Sequence, residues 1–137
     1  MVSFEIIDNI HSKAIPKSLT GKKGNPKRGE VVMINRKLGN CLACHHLSRF
    51  DEKAKALPNK YGDMGEVGPP LDAVAERYDA GQLRLLLVDA KEVFPDTIMP
   101  AFYKVKGLHR VLPDYEGKPI LEPQDIEDVL SFLLTLK

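Results

Sequence analysis

The chain has 137 residues, a formal net charge of +1 and 43% hydrophobic residues. This length is typical of one domain with a real hydrophobic core. The near balance of 20 basic and 19 acidic residues indicates neither nucleic-acid binding nor attraction to a charged membrane surface. We therefore expect one small globular domain whose function depends on particular residues and not on its bulk charge.

No segment has the length and hydropathy of a membrane span. The longest purely apolar stretches, such as residues 85–88, are far shorter than the ~20 residues that a spanning helix needs. The first residues, Met-Val-Ser-Phe-Glu, also lack the basic segment and apolar run of a secretory signal. We expect a mature chain whose signal has been removed or replaced.

The N-terminal 24 residues look irregular, and residues 17–24 are rich in glycine, lysine and small polar residues. They are either an arm that lies on the surface of the domain or of a partner, or a terminus without fixed structure. We divide the chain into an N-terminal arm, residues 1–24, and a folded domain, residues 25–137.

The folded domain is expected to begin with a helix. Asn25 is typical of an N-cap, Pro26 of a first helical position, and Gly39 is well placed to end the helix. Residues 51–67 are polar and contain glycine, so they favour a loop. A short helix is then expected over residues 69–78, opened by two prolines.

Two later helices have clearer signals. Asp79 is a candidate N-cap for a helix with apolar residues at helical spacing, and this helix should stop before Pro95. The last helix should begin at Pro123, and its core-facing stripe consists of Ile126, Val129, Leu130, Leu133 and Leu134. Between these helices, residues 109–112 and 120–121 look extended and are compatible with a small hairpin. The elements together predict an all-α fold of about four helices with an irregular N-terminal arm.

The pattern Cys41-x-x-Cys44-His45 is the attachment signature of a c-type haem. Two thiols three residues apart on one turn can reach two neighbouring vinyl groups, and His45 then lies under the iron. The same cysteine spacing also occurs in dithiol redox proteins and in zinc sites. The first of these expects a βαβ context, and the second a further cysteine or histidine pair. The sequence shows neither.

A haem iron with one histidine ligand needs a second ligand or an open position, and the methionines are the candidates. Met99 lies in a proline-braced loop, residues 95–102, whereas Met33 lies inside the first predicted helix. Met64, in a glycine-bearing loop, is the fallback. A methionine opposite a histidine raises the reduction potential and fills the site. The predicted pair therefore indicates electron transfer and not catalysis at this iron.

Three residues near the motif have weaker signals. The carbonyl of Pro69 can accept the second N–H of His45 and orient its ring, although a proline pair can equally well just open a helix. Arg77 can reach a haem propionate as a bidentate donor, although a surface arginine is the simpler interpretation. For His46, we expect a solvated or hydrogen-bonded surface residue.

Several segments together resemble SoxX, the monohaem c-type cytochrome subunit of the bacterial Sox sulfur-oxidation system. They are residues 18–21, 24–26, 39–45, 68–71, 97–102 and 117–133. The resemblance covers nearly the whole chain from Ser18 on, and the first sixteen residues match least well. By this resemblance, Cys41 and Cys44 correspond to the thioether cysteines, His45 to the proximal iron ligand and Met99 to the distal one.

The resemblance implies a small class I cytochrome c-like fold with one covalently bound haem c. It also implies a periplasmic heterodimer with a larger c-type cytochrome, SoxA, which oxidatively joins thiosulfate to a cysteine of the carrier protein SoxYZ. The substrate chemistry of that L-cysteine S-thiosulfotransferase belongs to the larger subunit. This chain would therefore not be catalytic alone, and it would pass electrons to a small cytochrome c acceptor.

A free-standing soluble electron shuttle is the alternative function. A shuttle can be smaller, because it needs neither the N-terminal arm nor residues 103–122 between the Met99 loop and the last helix. A third interpretation, a binding module that uses its cysteines for a metal, is distinguished by colour: a haem protein is red and a zinc protein is colourless.

Overall fold

The computed structural model describes residues 2–9, 12–103 and 118–137. Within these ranges the regular structure consists of six α-helices and one antiparallel pair of two-residue strands. In chain order these elements are β1 (Ile7–Asp8), β2 (Lys13–Ala14), α1 (Pro26–Ile34), α2 (Asp51–Ala56), α3 (Pro58–Tyr61), α4 (Val74–Arg77), α5 (Ala80–Asp89) and α6 (Pro123–Leu133). Single turns of 3₁₀ helix cover Cys41–Ala43, Ser48–Phe50 and Ala90–Glu92. The predicted all-α class is confirmed, and the helix count is higher because several helices are very short.

The first and last helices, α1 and α6, approach each other closely enough for their backbones to touch. A Cβ atom at Gly29 would lie 2.0 Å from the carbonyl oxygen of Asp128, so this approach requires glycine. The predicted apolar stripe of α6 is buried, and its residues Ile126, Val129 and Leu130 are at most 3% exposed. Both helices contribute buried side chains to the hydrophobic core.

The predicted helix caps are present. The side chain of Asn25 accepts hydrogen bonds from the first turn of α1. Asp79 and Gln82 form a reciprocal capping box at the start of α5, with both hydrogen bonds at 2.9 Å. α5 ends at Asp89, before Pro95 as predicted, but α1 ends at Ile34, earlier than the predicted end at Gly39. None of the helices in the described ranges has the length and hydropathy needed to span a bilayer.

The predicted loop over residues 51–67 is wrong for its first part, which contains α2 and α3. α2 has no buried residue, so the sequence shows no apolar stripe there. Its Glu, Lys and Ala residues favour a helix by their intrinsic helix propensity. α3 ends in Tyr61, whose ring lies 4.9 Å from that of Phe50 in an edge-to-face contact. For the predicted hairpin, residues 109–112 lie outside the described residues, and residues 120–121 form no strand.

The N-terminal arm is joined to the helices through a buried ion pair. Arg84 of α5 donates from Nε and Nη2 to the two carboxylate oxygens of Glu127 in α6, at 2.8 and 3.0 Å. Its Nη1 donates to the carbonyl of Ile15 at 2.7 Å, and the Leu19 N–H donates to Glu127 at 3.2 Å. Ile15 is fully buried and Leu19 is 6% exposed. This part of the arm therefore belongs to the core and is not a terminus without fixed structure.

Candidate haem-binding cleft

The two cysteines and the following histidine lie on one tight turn. The turn begins at Asn40, whose φ of 48° is in the left-handed region, and continues as a 3₁₀ helix over Cys41–Ala43. The N–H of His45 donates to the carbonyl of Cys41 at 3.0 Å, so His45 lies one turn beyond Cys41. Cys41, Cys44 and His45 all line a single cleft.

A glycine-bearing loop, residues 65–71, runs alongside this turn. Three backbone N–H groups of the loop donate to carbonyls of the turn, from Gly65 to Leu42 at 2.8 Å, from Gly68 to Cys44 at 2.7 Å and from Leu71 to His46 at 2.9 Å. Gly68 touches the imidazole itself, since a Cβ there would lie 2.4 Å from Cε1 of His45. Sequence reasoning singled out the Gly-Pro-Pro run but missed this role of its glycine. The sequence signal for this close contact was the glycine directly before Pro69.

Pro69, the next residue of this loop, accepts a hydrogen bond from His45. The two atoms, Nδ1 of the imidazole and the carbonyl oxygen of Pro69, lie 2.6 Å apart. A carbonyl can only accept, so Nδ1 carries the hydrogen and Nε2 is the nitrogen left with a free lone pair. This is the tautomer in which a histidine can bind a metal through Nε2.

Met99 lines the same cleft. It lies in the segment that follows α5, four residues before Tyr103. Thr97 Oγ1 accepts the backbone N–H of Met99 at 3.2 Å. Two backbone bonds join the following residues to α5, from Phe102 to the Leu87 carbonyl at 3.1 Å and from Tyr103 to the Val88 carbonyl at 3.2 Å. The segment directly after the methionine is therefore bonded to α5.

The cleft has a volume of about 370 Å³, within the range of ligand and cofactor pockets. Apolar side chains from several elements line it, among them Leu71, Val74, Leu83, Leu86, Leu87, Phe102 and Leu133. Sulfur and nitrogen donors from Cys41, Cys44, His45 and Met99 face this apolar lining. This donor set fits a flat apolar cofactor held by two thioethers with one nitrogen and one sulfur ligand at its metal.

The other two internal methionines of the described chain lie elsewhere. Met33 is fully buried in the core, and Met64 is partly buried and packs against the same core. Neither is among the residues that line the cleft. Of the methionines considered from the sequence, the structure therefore brings Met99 together with His45.

Comparison with known proteins decides the family. The cytochrome c family model matches residues 26–137, which is most of the chain. The chain belongs to the cytochrome c family. The crystal structure of SoxXA from P. pantotrophus contains a chain that is 44% identical, with 90% of each chain covered and a TM-score of 0.77. The resemblance to SoxX predicted from the sequence is thereby confirmed.

A second structure in the comparison is the c-type cytochrome SorU from Sinorhizobium meliloti. It is 22% identical, with 80% of this chain and 87% of that chain covered and a TM-score of 0.47. A comparison with curated proteins gave no match. Membership of the cytochrome c family implies a covalently bound haem c, for which the cleft provides a fitting site.

Arg77 lines the cleft of this cytochrome c, but two of its nitrogens bind backbone carbonyls. Nη1 donates to the carbonyl of Asp72 at 3.1 Å and Nη2 to that of Pro70 at 2.9 Å. These bonds support the loop that carries Pro69, and a contact of Arg77 with a propionate stays a prediction. His46 donates from Nε2 to Asp51 at 2.7 Å on the partly exposed side of the motif.

Asp72 joins the residues after the haem motif to the end of the same loop. Its carboxylate accepts the N–H of Ser48 at 2.9 Å and the Ser48 hydroxyl at 2.8 Å. Partial burial acts to raise the pKa of Asp72, but these hydrogen bonds, with the charges of His46 and Arg77, outweigh it and hold that pKa below its ordinary value. Asp72 is therefore a charged residue that stabilises the site without contacting the cleft.

The thiol of Cys41 is not set up as a thiolate. Burial raises the pKa of Cys41 to about 12, and the neighbouring Cys44 adds to the rise. Zinc binding and dithiol exchange use the thiolate form, which this environment disfavours. In the described ranges no group of three or more His, Cys, Asp or Glu residues is arranged to hold a metal ion. The haem interpretation of the two cysteines is the one that the family supports.

Proposed function

We propose that this cytochrome carries one haem c, attached through thioethers at Cys41 and Cys44, with His45 as proximal and Met99 as distal iron ligand. The observation that carries the proposal is the meeting of these four side chains in one apolar cleft. The Pro69 carbonyl supports it, because its bond to Nδ1 leaves Nε2 of His45 free for the iron.

A haem with a histidine and a methionine ligand supplies one-electron transfer at a raised reduction potential. The chain would supply both iron ligands, exclude water with its apolar lining, and keep the ligands in place. Because His45 and Met99 would both be bound to the iron, no open position would remain for oxygen or a substrate. The function that this arrangement supports is therefore electron transfer.

We further propose that the chain is the electron-transfer subunit of a periplasmic SoxAX-type complex. The basis is the 44% identity to a chain of SoxXA over 90% of both chains. The partner would be a larger SoxA-like c-type cytochrome, forming a heterodimer. The complex would couple thiosulfate to a cysteine of a SoxYZ-like carrier protein.

The cysteine count limits the role of this chain in such a reaction. Forming a sulfur–sulfur bond between thiosulfate and a carrier thiol releases one proton and two electrons. The sequence has two cysteines, and both would be thioethers, so no thiol remains here to carry sulfur. This subunit would take up electrons one at a time and pass them to a small cytochrome c.

Native mass spectrometry of the protein purified gently from its own periplasm, with haem staining of the separated subunits, tests the proposal. One haem on this chain together with a larger haem-bearing partner supports it, and thiosulfate oxidation with the carrier protein would then be assayed. One haem and no partner would favour the free-standing shuttle. A colourless chain would overturn the haem assignment itself.

A further inference from the structure

The first residues of the N-terminal arm contact the segment that follows Met99. The backbone N–H of Val2 donates to the hydroxyl oxygen of Tyr103 at 2.8 Å. The ring of Phe4 lies against the ring of Tyr103, with 6.3 Å between centroids and a tilt of 58°. Tyr103 is 1% exposed. A buried side chain only four residues beyond Met99 is thus capped by the arm.

The backbone of Tyr103 is continuous with the wall of the cleft. Tyr103 and Phe102 donate consecutive N–H groups to consecutive carbonyls of α5, those of Val88 and Leu87. Both Phe102 and Leu87 line the cleft beside Met99. A displacement of Tyr103 therefore moves the segment that carries Met99.

The arm is held at a second place, so that it can resist such a displacement. The N–H of Ile15 donates to the carbonyl of Gly81 at 3.0 Å, and the Ile15 carbonyl accepts from Arg84 at 2.7 Å. Nζ of Lys13 lies 3.7 Å from the carboxylate of Glu92, in the 3₁₀ turn that follows α5. The arm thus runs along α5, the helix that lines the cleft. Its first described residues contact Tyr103.

We propose that Val2 and Phe4 brace the Met99 loop through Tyr103 and thereby hold the distal ligand on the iron. This inference rests on the proposed function, in which Met99 is that ligand. Tyr103 and Phe4 are positioning residues, because they act through the backbone of the loop. Weakening the brace increases the population of an open loop in which Met99 has left the iron, without changing the ligands.

Imidazole binding to the oxidised protein measures this open population, because imidazole takes the distal position only after Met99 has left. Tyr103→Phe removes the hydroxyl that accepts from Val2 and keeps the ring. We expect it to raise the apparent imidazole affinity about three- to tenfold, the shift produced by loss of one partly buried hydrogen bond. Tyr61→Phe is the matched control, since Tyr61 is also buried and its hydroxyl donates to Glu30 at 2.9 Å. It should change the affinity less than about twofold.

The aromatic contact is tested by a second pair of variants on the arm. Phe4 is 39% exposed and Ile7 is 42% exposed, so replacing either by serine removes a similar apolar surface. Phe4→Ser should raise the imidazole affinity, whereas Ile7→Ser should not, because among the described contacts the ring partner of Tyr103 is Phe4. The rate of arm cleavage by trypsin in each variant reports whether the arm itself has loosened.

The outcomes separate the two hypotheses. The wild type must show the weak red absorption band of a methionine–iron bond; its absence would overturn the assignment of Met99 and this inference with it. If the band is present and Tyr103→Phe and Phe4→Ser bind imidazole like their controls, the brace is overturned and the proposed function stands. A rise in both variants, with the band retained at zero imidazole, supports the brace.

Discussion

His45 donates a hydrogen bond from Nδ1 to the carbonyl oxygen of Pro69, and these two atoms lie 2.6 Å apart. The imidazole is held from one side by this bond and lies against the backbone of Gly68. Gly68 and Pro69 belong to one loop, which is hydrogen-bonded to the Cys41–His45 turn. The orientation of the proposed iron ligand therefore depends on backbone contacts and not on a second side chain. Substitutions in the loop should therefore act on the haem even though they remove no ligand.

Gly68→Ala is the sharpest test of this dependence. The new Cβ would lie 2.4 Å from the His45 ring, so the ring or the loop must move. Overpacking of this kind typically costs about 1–3 kcal/mol of unfolding free energy. We expect that loss in urea titrations, together with a lower haem-to-protein ratio and a changed reduction potential.

Gly21→Ala is the control for that substitution. Gly21 has a positive φ of 71° but no atom within 4 Å of its would-be Cβ, so alanine there introduces backbone strain without a contact. It should lower stability by about 1 kcal/mol and leave haem content and reduction potential unchanged. A normal potential in Gly68→Ala would show that the ring does not depend on this glycine.

Met99→Ala should abolish the weak red absorption band and lower the reduction potential, because methionine opposite histidine raises it. The haem should remain attached, since Cys41 and Cys44 are unchanged. Met64→Ala is the matched control, as Met64 is partly buried against the core but does not line the cleft. Visible spectra and redox titration of both variants decide the point. A band that survives in Met99→Ala but disappears in Met64→Ala would identify Met64 as the ligand.

The sequence predicts the parts of this fold that are encoded locally. The caps at Asn25 and Asp79 and the stripe of α6 depend on residues a few positions apart, and the structure has them. α2 was missed because its six residues carry no buried side chain and thus no periodic signal.

Contacts between residues far apart in the sequence could not be predicted from sequence patterns. Gly68 and His45 meet because two loops are joined, and no spacing in the sequence reports that contact. Arg84 and Glu127 look like ordinary surface charges in their helices, yet they are 6% and 4% exposed and pair across 43 positions of sequence. Only the packing of α5 on α6 reveals them.

Asp72 gives the stability of the protein a defined pH dependence. Its pKa is lower in the folded protein than the ordinary value of about 3.9, so its carboxylate stabilises the fold above that value. This contribution is lost as the pH falls through the lower, folded pKa. Asp72→Asn keeps one acceptor for Ser48 but cannot titrate. We expect it to be less stable than wild type at pH 7 by at most about 1 kcal/mol, with the difference vanishing in acid.

Urea unfolding between pH 2 and 7 measures this dependence, with Asp96→Asn as control for the change of a carboxylate to an amide. Asp96 is an exposed aspartate in the loop before Met99, and its replacement by asparagine leaves the Asp72–Ser48 bonds intact. Parallel profiles for wild type and Asp72→Asn across the whole range would contradict the role assigned to the Asp72–Ser48 bonds.

The buried pair of Arg84 and Glu127 should dominate the stability of the arm. Arg84→Leu leaves the Glu127 carboxylate buried without its cation, which typically costs about 3–5 kcal/mol. Arg84→Leu with Glu127→Leu removes both charges and should be less destabilised than Arg84→Leu alone. Some loss should remain, because the Ile15 carbonyl and the Leu19 N–H lose their partners. Urea titrations of the wild type, Arg84→Leu, Glu127→Leu and the double variant give the coupling energy of the pair.

The exposed pair of Lys55 and Glu52 provides the comparison, since its side chains are 74% and 86% exposed at a separation of 3.1 Å. Lys55→Met should change the unfolding free energy by less than about 0.5 kcal/mol. Trypsin gives a second readout, because Lys17 is exposed between the two anchored residues of the arm. Cleavage there should accelerate in Arg84→Leu and not in Lys55→Met. If both variants were cleaved at the wild-type rate, the ion pair would contribute to the core without fixing the arm.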